Sequence, residues 1–417
     1  MDTLRTTDAM STSSHGREPL VDRALGWLVR RAFGDAPLRF ALADGTVLNA
    51  PPVPAVATIV LKNRRLLLRL CLDPEVTLGE AYAAGVLEIR GDLVAALQAG
   101  YRALERRRPR AGWRPLAGRH SLRASRDNVE HHYDLGNDFY KLWLDERMVY
   151  TCAYFPTPET SLEAAQVAKL DHVCRKLDLR PDERVVEAGC GWGALALHMA
   201  RRYGVRVTAY NISHEQIVLA RQQAEREDLA GRVTFVEDDY RAIEGRFDAF
   251  VSVGMLEHVG HENYPVLGRV IDRCLEPDRG RGLLHFIGRD RPRPLSAWIR
   301  RRIFPGAYAP TLTEAVAGVL QPAGLSVLDV ENLRLHYART LRHWLERYER
   351  VSDTVAGRYG EAFARAWRLY LAGSMAAFTI GSLQLFQVHF ARGGSNAVPW
   401  TRAGLYEARE PSRDGDL

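Results

Sequence analysis

Residues Arg184–Ala200 read RVVEAGCGWGALALHMA. Val185 and Val186 are β-branched and suit a strand. Glu187 follows, and then Gly189, Gly191 and Gly193 stand at every second position. The stretch from Ala194 to Ala200 is made of good helix formers. Strand, glycine turn, helix is the geometry by which backbone approaches a ligand at the carboxyl edge of a parallel sheet. A dinucleotide fingerprint spaces its glycines G-x-G-x-x-G and aims the helix N-terminus at a pyrophosphate. Here the third glycine comes one residue early and an acid precedes the first. That arrangement suits a cationic, phosphate-free ligand such as S-adenosylmethionine (SAM) and disfavours a nicotinamide dehydrogenase. A glycine turn that only packs a helix on a strand spells the same letters, so the rest of the chain must carry the case.

Downstream of this loop the pattern alternates. It predicts strands at Arg184–Ala188, Val205–Tyr210, Val233–Val236, Phe247–Val253 and Gly282–Ile287. Helices are predicted between them, among them Glu215–Glu227 and Tyr264–Cys274. Alternation of this kind implies a parallel sheet covered on both faces, an α/β fold. Upstream, the pattern reads as a small α+β unit. Leu38–Leu42 and Thr46–Leu48 flank the turn pair Asp44-Gly45, a hairpin signal. Ala57–Leu61 and Leu66–Leu72 read as strands, Leu78–Val86 and Leu93–Leu104 as helices, with Leu87–Ile89 extended between those two. Leu369–Ala391 carries no charge but includes Ser374, Thr379, Ser382, Gln384, Gln387 and His389. That is too polar for an isolated lipid-facing span, and the stretch reads as one or two buried helices lining an acyl tunnel.

The 417 residues exceed one typical domain, and 46% hydrophobic with 26% charged residues is the composition of an ordinary globular protein. Cys71, Cys152, Cys174, Cys190 and Cys274 form no C-x-x-C pair, which fits a reducing, cytoplasmic setting without structural zinc. Residues 1–20 lack a continuous apolar run, so no signal peptide is expected and this stretch is expected to be disordered. The formal net charge of +6 is unevenly spread. Nine arginines lie from Arg102 to Arg126 against one acid, Glu105. Arg289, Arg291, Arg293, Arg300, Arg301 and Arg302 surround Trp298, Ile299, Ile303 and Phe304. Arginines interleaved with large apolar residues suit an anionic lipid surface. No nucleic-acid recognition module accompanies them, so nucleic acid is not expected as a partner.

Several further segments fit one family. His131–Tyr140 (HHYDLGNDFY), Met148–Phe155 (MVYTCAYF), Gly254–Gly260 (GMLEHVG), Leu283–Gly288 (LLHFIG) and His336–Leu341 (HYARTL) resemble the cyclopropane-fatty-acyl-phospholipid synthases. Gly79-Glu80-Ala81-Tyr82 with Gly91-Asp92-Leu93 resembles the accessory domain of that family's phospholipid-acting members. The resemblance runs from about Leu38 to Arg402. It implies a class I SAM-dependent methyltransferase, Rossmann-like, with a mostly parallel seven-stranded sheet and a small N-terminal α+β domain. The implied layout is an accessory, lipid-associated domain at 21–105, a basic linker at 106–125, a catalytic domain with helical acyl-binding insertions at 126–402, and a tail at 403–417.

The reaction so implied is methylene transfer from SAM to the cis double bond of an unsaturated acyl chain of a membrane phospholipid. The alkene is a poor nucleophile and the sulfonium methyl a strong electrophile. Methyl transfer leaves a carbocation that closes the ring by losing a proton from the new methyl group. Such a site needs a dry pocket, electron-rich groups near the cation and a base at the methyl carbon. The resemblance implies bicarbonate as that base, cradled by Cys152, Glu257, His285, Ile287 and Tyr337. Each alone has a plainer reading: a buried cysteine, a satisfied core histidine, a buried aromatic. Glu257 is least easily so explained, because a carboxylate in an apolar run needs a partner.

The implied SAM contacts are Gly189, Gly191 and Gly193, with Glu187 below the loop. Asn211, Ser213 and Gln216 would follow the second strand, and Asp239 and Tyr240 the third. Tyr133, Tyr150 and Thr151 would close from the N-terminal side. Glu187, Asn211 and Thr379 depart from residues commoner in the family, namely Asp, Thr and Arg. A methyl-branched or methylene product stays open, as does a catalytically inactive lipid-binding protein. The implied setting is peripheral, at the inner face of a membrane without spanning it, and a homodimer is left open as the assembly.

Overall fold

A computed structural model of the chain describes residues 20–107 and 135–406. The predicted disorder before Leu20, nearly all of the basic linker and its arginines, the segment holding Tyr133, and the tail beyond Tyr406 lie outside the described residues.

The N-terminal unit holds strands β1 (Leu38–Leu42), β2 (Ala57–Leu61) and β3 (Leu87–Gly91) in that order. β1 runs parallel and β3 antiparallel to β2. Helices Leu20–Phe33, Arg64–Leu72, Pro74–Ala83 and Leu93–Arg107 pack around this sheet. Two expectations fail here. Leu66–Leu72 is helical, because Asn63 caps it by accepting from the Leu66 N–H at 3.0 Å. Its buried Leu66, Leu67 and Leu70 then share one helical face, a spacing that a short apolar run does not separate from a strand. The Asp44-Gly45 turn forms, with Gly45 at φ 92°. Its second arm, however, makes only the single bridge of Val47 to Ala41. Asn49 stands in for that strand. Its Oδ1 accepts from the Phe40 N–H at 2.7 Å and its Nδ2 donates to the Leu38 carbonyl at 2.9 Å.

The larger sheet contains β4 (Arg184–Ala188), β5 (Arg206–Asn211), β6 (Val233–Glu237), β7 (Ala249–Val253), β8 (Arg281–Gly288), β9 (Leu325–Asn332) and β10 (Gln384–Arg392). Their order is β6-β5-β4-β7-β8-β10-β9. β4 to β8 are mutually parallel, and β10 is antiparallel to both of its neighbours. This is the class I methyltransferase sheet, and all five predicted strands lie in it with ends shifted by no more than two residues. The strand order reverses between β4 and β7, which opens a crevice at their carboxyl ends.

The uncharged stretch resolves differently from expectation. It is the end of one helix, Glu361–Ile380, followed after Gly381 by β10. β10 is buried on both faces between β8 and β9, so it shows no polar alternation that would mark it as a strand. Among the described residues, no helix is long and apolar enough to cross a membrane.

One apolar core joins the N-terminal unit to the paired helices Arg334–Tyr359 and Glu361–Ile380 and to the segment Phe139–Phe155. Polar ties reinforce the join. Arg302 makes a two-pronged contact with Glu80, at 2.9 and 2.7 Å. Arg291 and Arg293 both hold Glu105. Trp298, only 4% exposed, lies against Gly79. Half of the second arginine cluster therefore fastens the two units to each other, and its tryptophan is not available to insert in a bilayer.

Candidate active site

A cavity of about 410 Å³ starts at the glycine loop, passes the carboxyl ends of β7 and β8, and ends among Leu38, Ile59, Leu70 and Ile89 of the N-terminal unit. Its first end is built by backbone. Gly189, Gly191 and Gly193 all have positive φ, at 81°, 55° and 84°. Their tasks differ. A Cβ on Gly193 would come within 2.6 Å of the Phe235 ring, so this glycine seats the helix Ala194–Tyr203 on the sheet and does not line the cavity. A Cβ on Gly191 would meet nothing within 4 Å, and Gly191 lines the cavity. Gly189 also lines it, close under Met255. Asn211 ties the loop to β5: its Nδ2 donates to the Gly191 carbonyl at 3.2 Å and to Gln216 Oε1 at 2.7 Å.

Gln216, Asp239 and Tyr240 face the same space. Asp239 accepts from the Arg241 N–H at 2.9 Å, and the Tyr240 hydroxyl is buried without a hydrogen-bond partner. Ser213 is buried behind the loop and does not line the cavity. Tyr150 and Thr151 close the site from the N-terminal side. Gln166 pins that strap by donating to the carbonyls of Val149 and Thr151 at 3.3 and 3.0 Å. Glu187 sits beneath the loop, 2% exposed, with Oε2 unpartnered. Burial pushes its carboxyl up to about 8.

Glu257, His285, Ile287 and Tyr337 all line this cavity, and Glu257 meets the strand that carries His285 and Ile287. The Ile287 N–H donates to Glu257 Oε1 at 2.5 Å, so the contribution of Ile287 is to aim that carboxylate. Glu257 Oε2 is buried with no partner, and burial raises its carboxyl to about 7 against the opposing pull of the Ile287 N–H. Gln387 Nε2 donates to His285 Nδ1 at 3.1 Å. The neutral ring then carries its proton on Nε2, which is also buried and unpartnered. Burial, helped by the Lys169 charge, holds His285 well below the usual histidine range, so it stays neutral. An acceptor and a donor thus face one space, which fits an anion that offers both a hydroxyl and bare oxygens, as bicarbonate does.

Tyr337 packs on Phe378 with ring centroids 4.5 Å apart. Cys152 stands apart from the other four. Its Sγ turns to the Ala153 carbonyl at 3.2 Å, it does not line the cavity, and burial pushes its thiol far up. Its observed contacts are those of a buried structural thiol.

Two cavity residues escaped the sequence reading. Trp192, inside the glycine motif, donates from Nε1 to Asn137 Oδ1 at 2.6 Å. Lys169 lies on the buried stripe of the helix Leu162–Lys176. A lysine and a glutamine, Gln166, three residues apart on an otherwise apolar helical face were the available signal.

The fold and the ligand-facing loop define a class I SAM-dependent methyltransferase. Comparison with known proteins narrows the class. The family model for mycolic acid cyclopropane synthetase matches residues 120–388, and the chain belongs to that family. It is 39% identical over 381 residues to a probable fatty acid methyltransferase of Pseudomonas putida, covering 89% of this chain and 96% of that one. It is 38% identical over 356 residues to the cyclopropane-fatty-acyl-phospholipid synthase of Escherichia coli K12, covering 82% and 90%. Among solved structures, the mycolic acid cyclopropane synthase CmaA1 complexed with SAH and CTAB superposes with a TM-score of 0.60 at 30% identity, over 64% of this chain and 97% of that one.

Proposed function

We propose that this enzyme converts the cis double bond of an unsaturated phospholipid acyl chain to a cyclopropane ring, with SAM as methylene donor and bicarbonate as general base. The observation that carries the reading is the continuity of the cavity. It joins a loop suited to SAM, a buried acceptor–donor pair, and an apolar chamber in the N-terminal unit.

The residues divide the work. Gly189 and Gly191 let backbone approach the donor. Tyr150 and Thr151 strap it in. Glu257 Oε2 and His285 Nε2–H would hold bicarbonate, which supplies the base when bound. Ile287 and Gln387 fix those two side chains. Tyr337 offers a ring face to positive charge developing on the acyl chain. Phe378, Leu341 and Leu369 extend the apolar wall that keeps water out.

The lipid enters from a bilayer at which the enzyme docks peripherally, on the cytoplasmic side. Two helices support this. Leu20–Phe33 exposes Leu20, Val21 and Trp27 beside Arg23, Arg30 and Arg31, while Arg64–Leu72 exposes Leu68 and Leu72 beside Arg65 and Arg69. Asp22, the acid of the first helix, is buried against Arg64 of the second. The inward sides of the same helices supply Phe33 and Leu70 to the cavity. Apolar side chains among arginines suit an anionic phospholipid surface.

The test is mass spectrometry of lipids after incubation with isotope-labelled SAM and vesicles of mono-unsaturated phospholipid. Cyclopropane formation adds one CH2 and removes the alkene. The similarity to a probable fatty acid methyltransferase favours a second outcome, a methyl-branched or methylene chain, which chromatography separates from the ring product. Absence of any labelled lipid would overturn the proposed reaction on phospholipid acyl chains.

A further inference from the structure

Nothing in the proposed reaction uses Lys169. It projects from the helical stripe that also buries Ala165, Gln166, Leu170 and Val173, and only 2% of it is exposed. Its ammonium has three donors and makes one hydrogen bond, to Thr151 Oγ1 at 3.1 Å. Among the described residues no carboxylate comes within ion-pairing distance. The nearby acid, Asp145, has both oxygens engaged: Oδ1 accepts from the Val149 N–H at 2.9 Å and Oδ2 from the Arg147 N–H at 3.1 Å. Glu187 also lines the cavity, as deeply buried, with its own unpartnered oxygen.

A buried charge without a partner is costly. Burial accordingly pushes the Lys169 amine down to about 8, against the pull of Asp145, Cys152 and Glu187. A buried ammonium with spare donors and a buried carboxyl with a spare oxygen, lining one cavity without joining, are what a bound zwitterion or anion would complete.

We propose that Lys169 is the receptor for a carboxylate-type anion in this cavity. The proposal rests on the SAM-dependent reading of the site. Two molecules of that reading carry the planar O–C–O group. The methionine end of SAM would set its carboxylate on Lys169 and its ammonium on Glu187, beside the glycine loop. Bicarbonate would use Lys169 as a counter-charge near His285, whose ionisation the ammonium already influences.

The experiment compares wild type with Lys169→Met, using the full chain and three probes. Calorimetric titration with SAM and with decarboxylated SAM reads the first source. If SAM supplies the anion, Lys169→Met weakens SAM by at least about thirtyfold while decarboxylated SAM changes less than about threefold, the scale of a lost charge-assisted hydrogen bond. Titration with 13C-labelled bicarbonate, followed by NMR in the presence of S-adenosylhomocysteine, reads the second. Loss of that binding with SAM affinity unchanged assigns Lys169 to bicarbonate.

Unchanged affinity for both probes overturns the proposal. If Lys169→Met does not fold, Lys169→Gln replaces it. The preference of wild type for SAM over its decarboxylated form gives an independent reading: no preference, with no bicarbonate binding, also overturns it. Wild type that binds SAM but not bicarbonate removes the bicarbonate part of the proposed function and leaves the SAM arm to decide Lys169.

Discussion

The two ends of the cavity are built by different means. The donor end is made of backbone at the carboxyl ends of neighbouring parallel strands, with glycines at left-handed φ angles that few side chains adopt readily. The acyl end is made of side chains from separate helices and from the N-terminal sheet, brought together by one shared apolar core. A backbone site fails when a single Cβ intrudes. An apolar wall tolerates changes that keep its volume, losing order before it loses stability. Single substitutions should therefore be sharp at the donor end and graded at the acyl end.

Gly191→Val should give the largest effect. The valine would have to hold φ near 55° and place its methyls where ligand must come. SAM affinity is expected to fall by more than about a hundredfold, or ~2.7 kcal/mol, while circular dichroism stays native. Gly193→Ala is the control, since its Cβ meets Phe235 and Ala220 rather than the cavity. It should lower the melting temperature instead. Equal loss of SAM affinity in the two variants would show that the loop acts as one packing unit.

Glu257→Gln tests the junction of the two ends. Turnover is expected to be nearly abolished with SAM binding within about tenfold, or ~1.4 kcal/mol. Stability gives a second readout. Burial raises the native carboxyl from its ordinary value of 4.5 to about 7, so between these values the folded state holds the proton more tightly than the unfolded one. Wild-type stability should then fall as pH rises through that window, by about 3–4 kcal/mol in all. Denaturant titrations should show the variant spared this loss. A parallel pH dependence in both proteins would place the shift elsewhere.

The same contrast explains what could be read from the sequence. Strands β4 to β8 were legible because β-branched runs alternate with helical spacing, and a glycine turn marks the first crossover. Gly189 and Gly191 follow from that frame, whereas Asn211 and Gln216 are implied only by the family resemblance. Glu257, His285, Ile287 and Tyr337 were reachable only through family motifs, since each looks like ordinary core on its own. Lys169 stayed hidden because helical periodicity buries a lysine without saying what it meets. β10 was misread as helix because burial on both faces erases polar alternation, and Leu66–Leu72 as strand because nine helical residues give too few turns to establish a period. The role of Arg291, Arg293 and Arg302 as ties to the N-terminal unit depends on Glu80 and Glu105, some two hundred residues earlier, and no local pattern carries that.

Gly79→Ala probes the acyl end through the join of the two units. A Cβ there would lie 2.4 Å from the Trp298 ring, forcing the helix Ala297–Arg302 outward. The expected cost is about 1–3 kcal/mol of stability, as for other overpacked cores. KM for lipid should rise several-fold while SAM affinity holds, because the donor end shares none of these contacts. Kinetics on vesicles beside SAM calorimetry separate the two. A matching loss of SAM affinity would mean that the two ends are coupled through the core.

The smallest effect is expected at Arg302→Gln, and it decides which surface meets the bilayer. Arg302 and Glu80 form a well-aligned pair, but their side chains are 59% and 39% exposed. Exposed pairs of this kind contribute about 0–1 kcal/mol, so the melting temperature should move by no more than about 2–4 °C. An arginine already satisfied by Glu80 has little to offer a phosphate, and vesicle binding should stay within about twofold of wild type. Trp27→Ser combined with Leu72→Ser removes apolar side chains that are 52% and 86% exposed on the N-terminal helices. That variant should lose binding to anionic vesicles, at low and high salt alike, because insertion of apolar groups is not screened. Co-sedimentation across a salt series, with neutral and anionic vesicles in parallel, measures both. A larger loss from Arg302→Gln than from the double serine variant would return the docking surface to the arginine cluster and leave the two N-terminal helices without a role at the membrane.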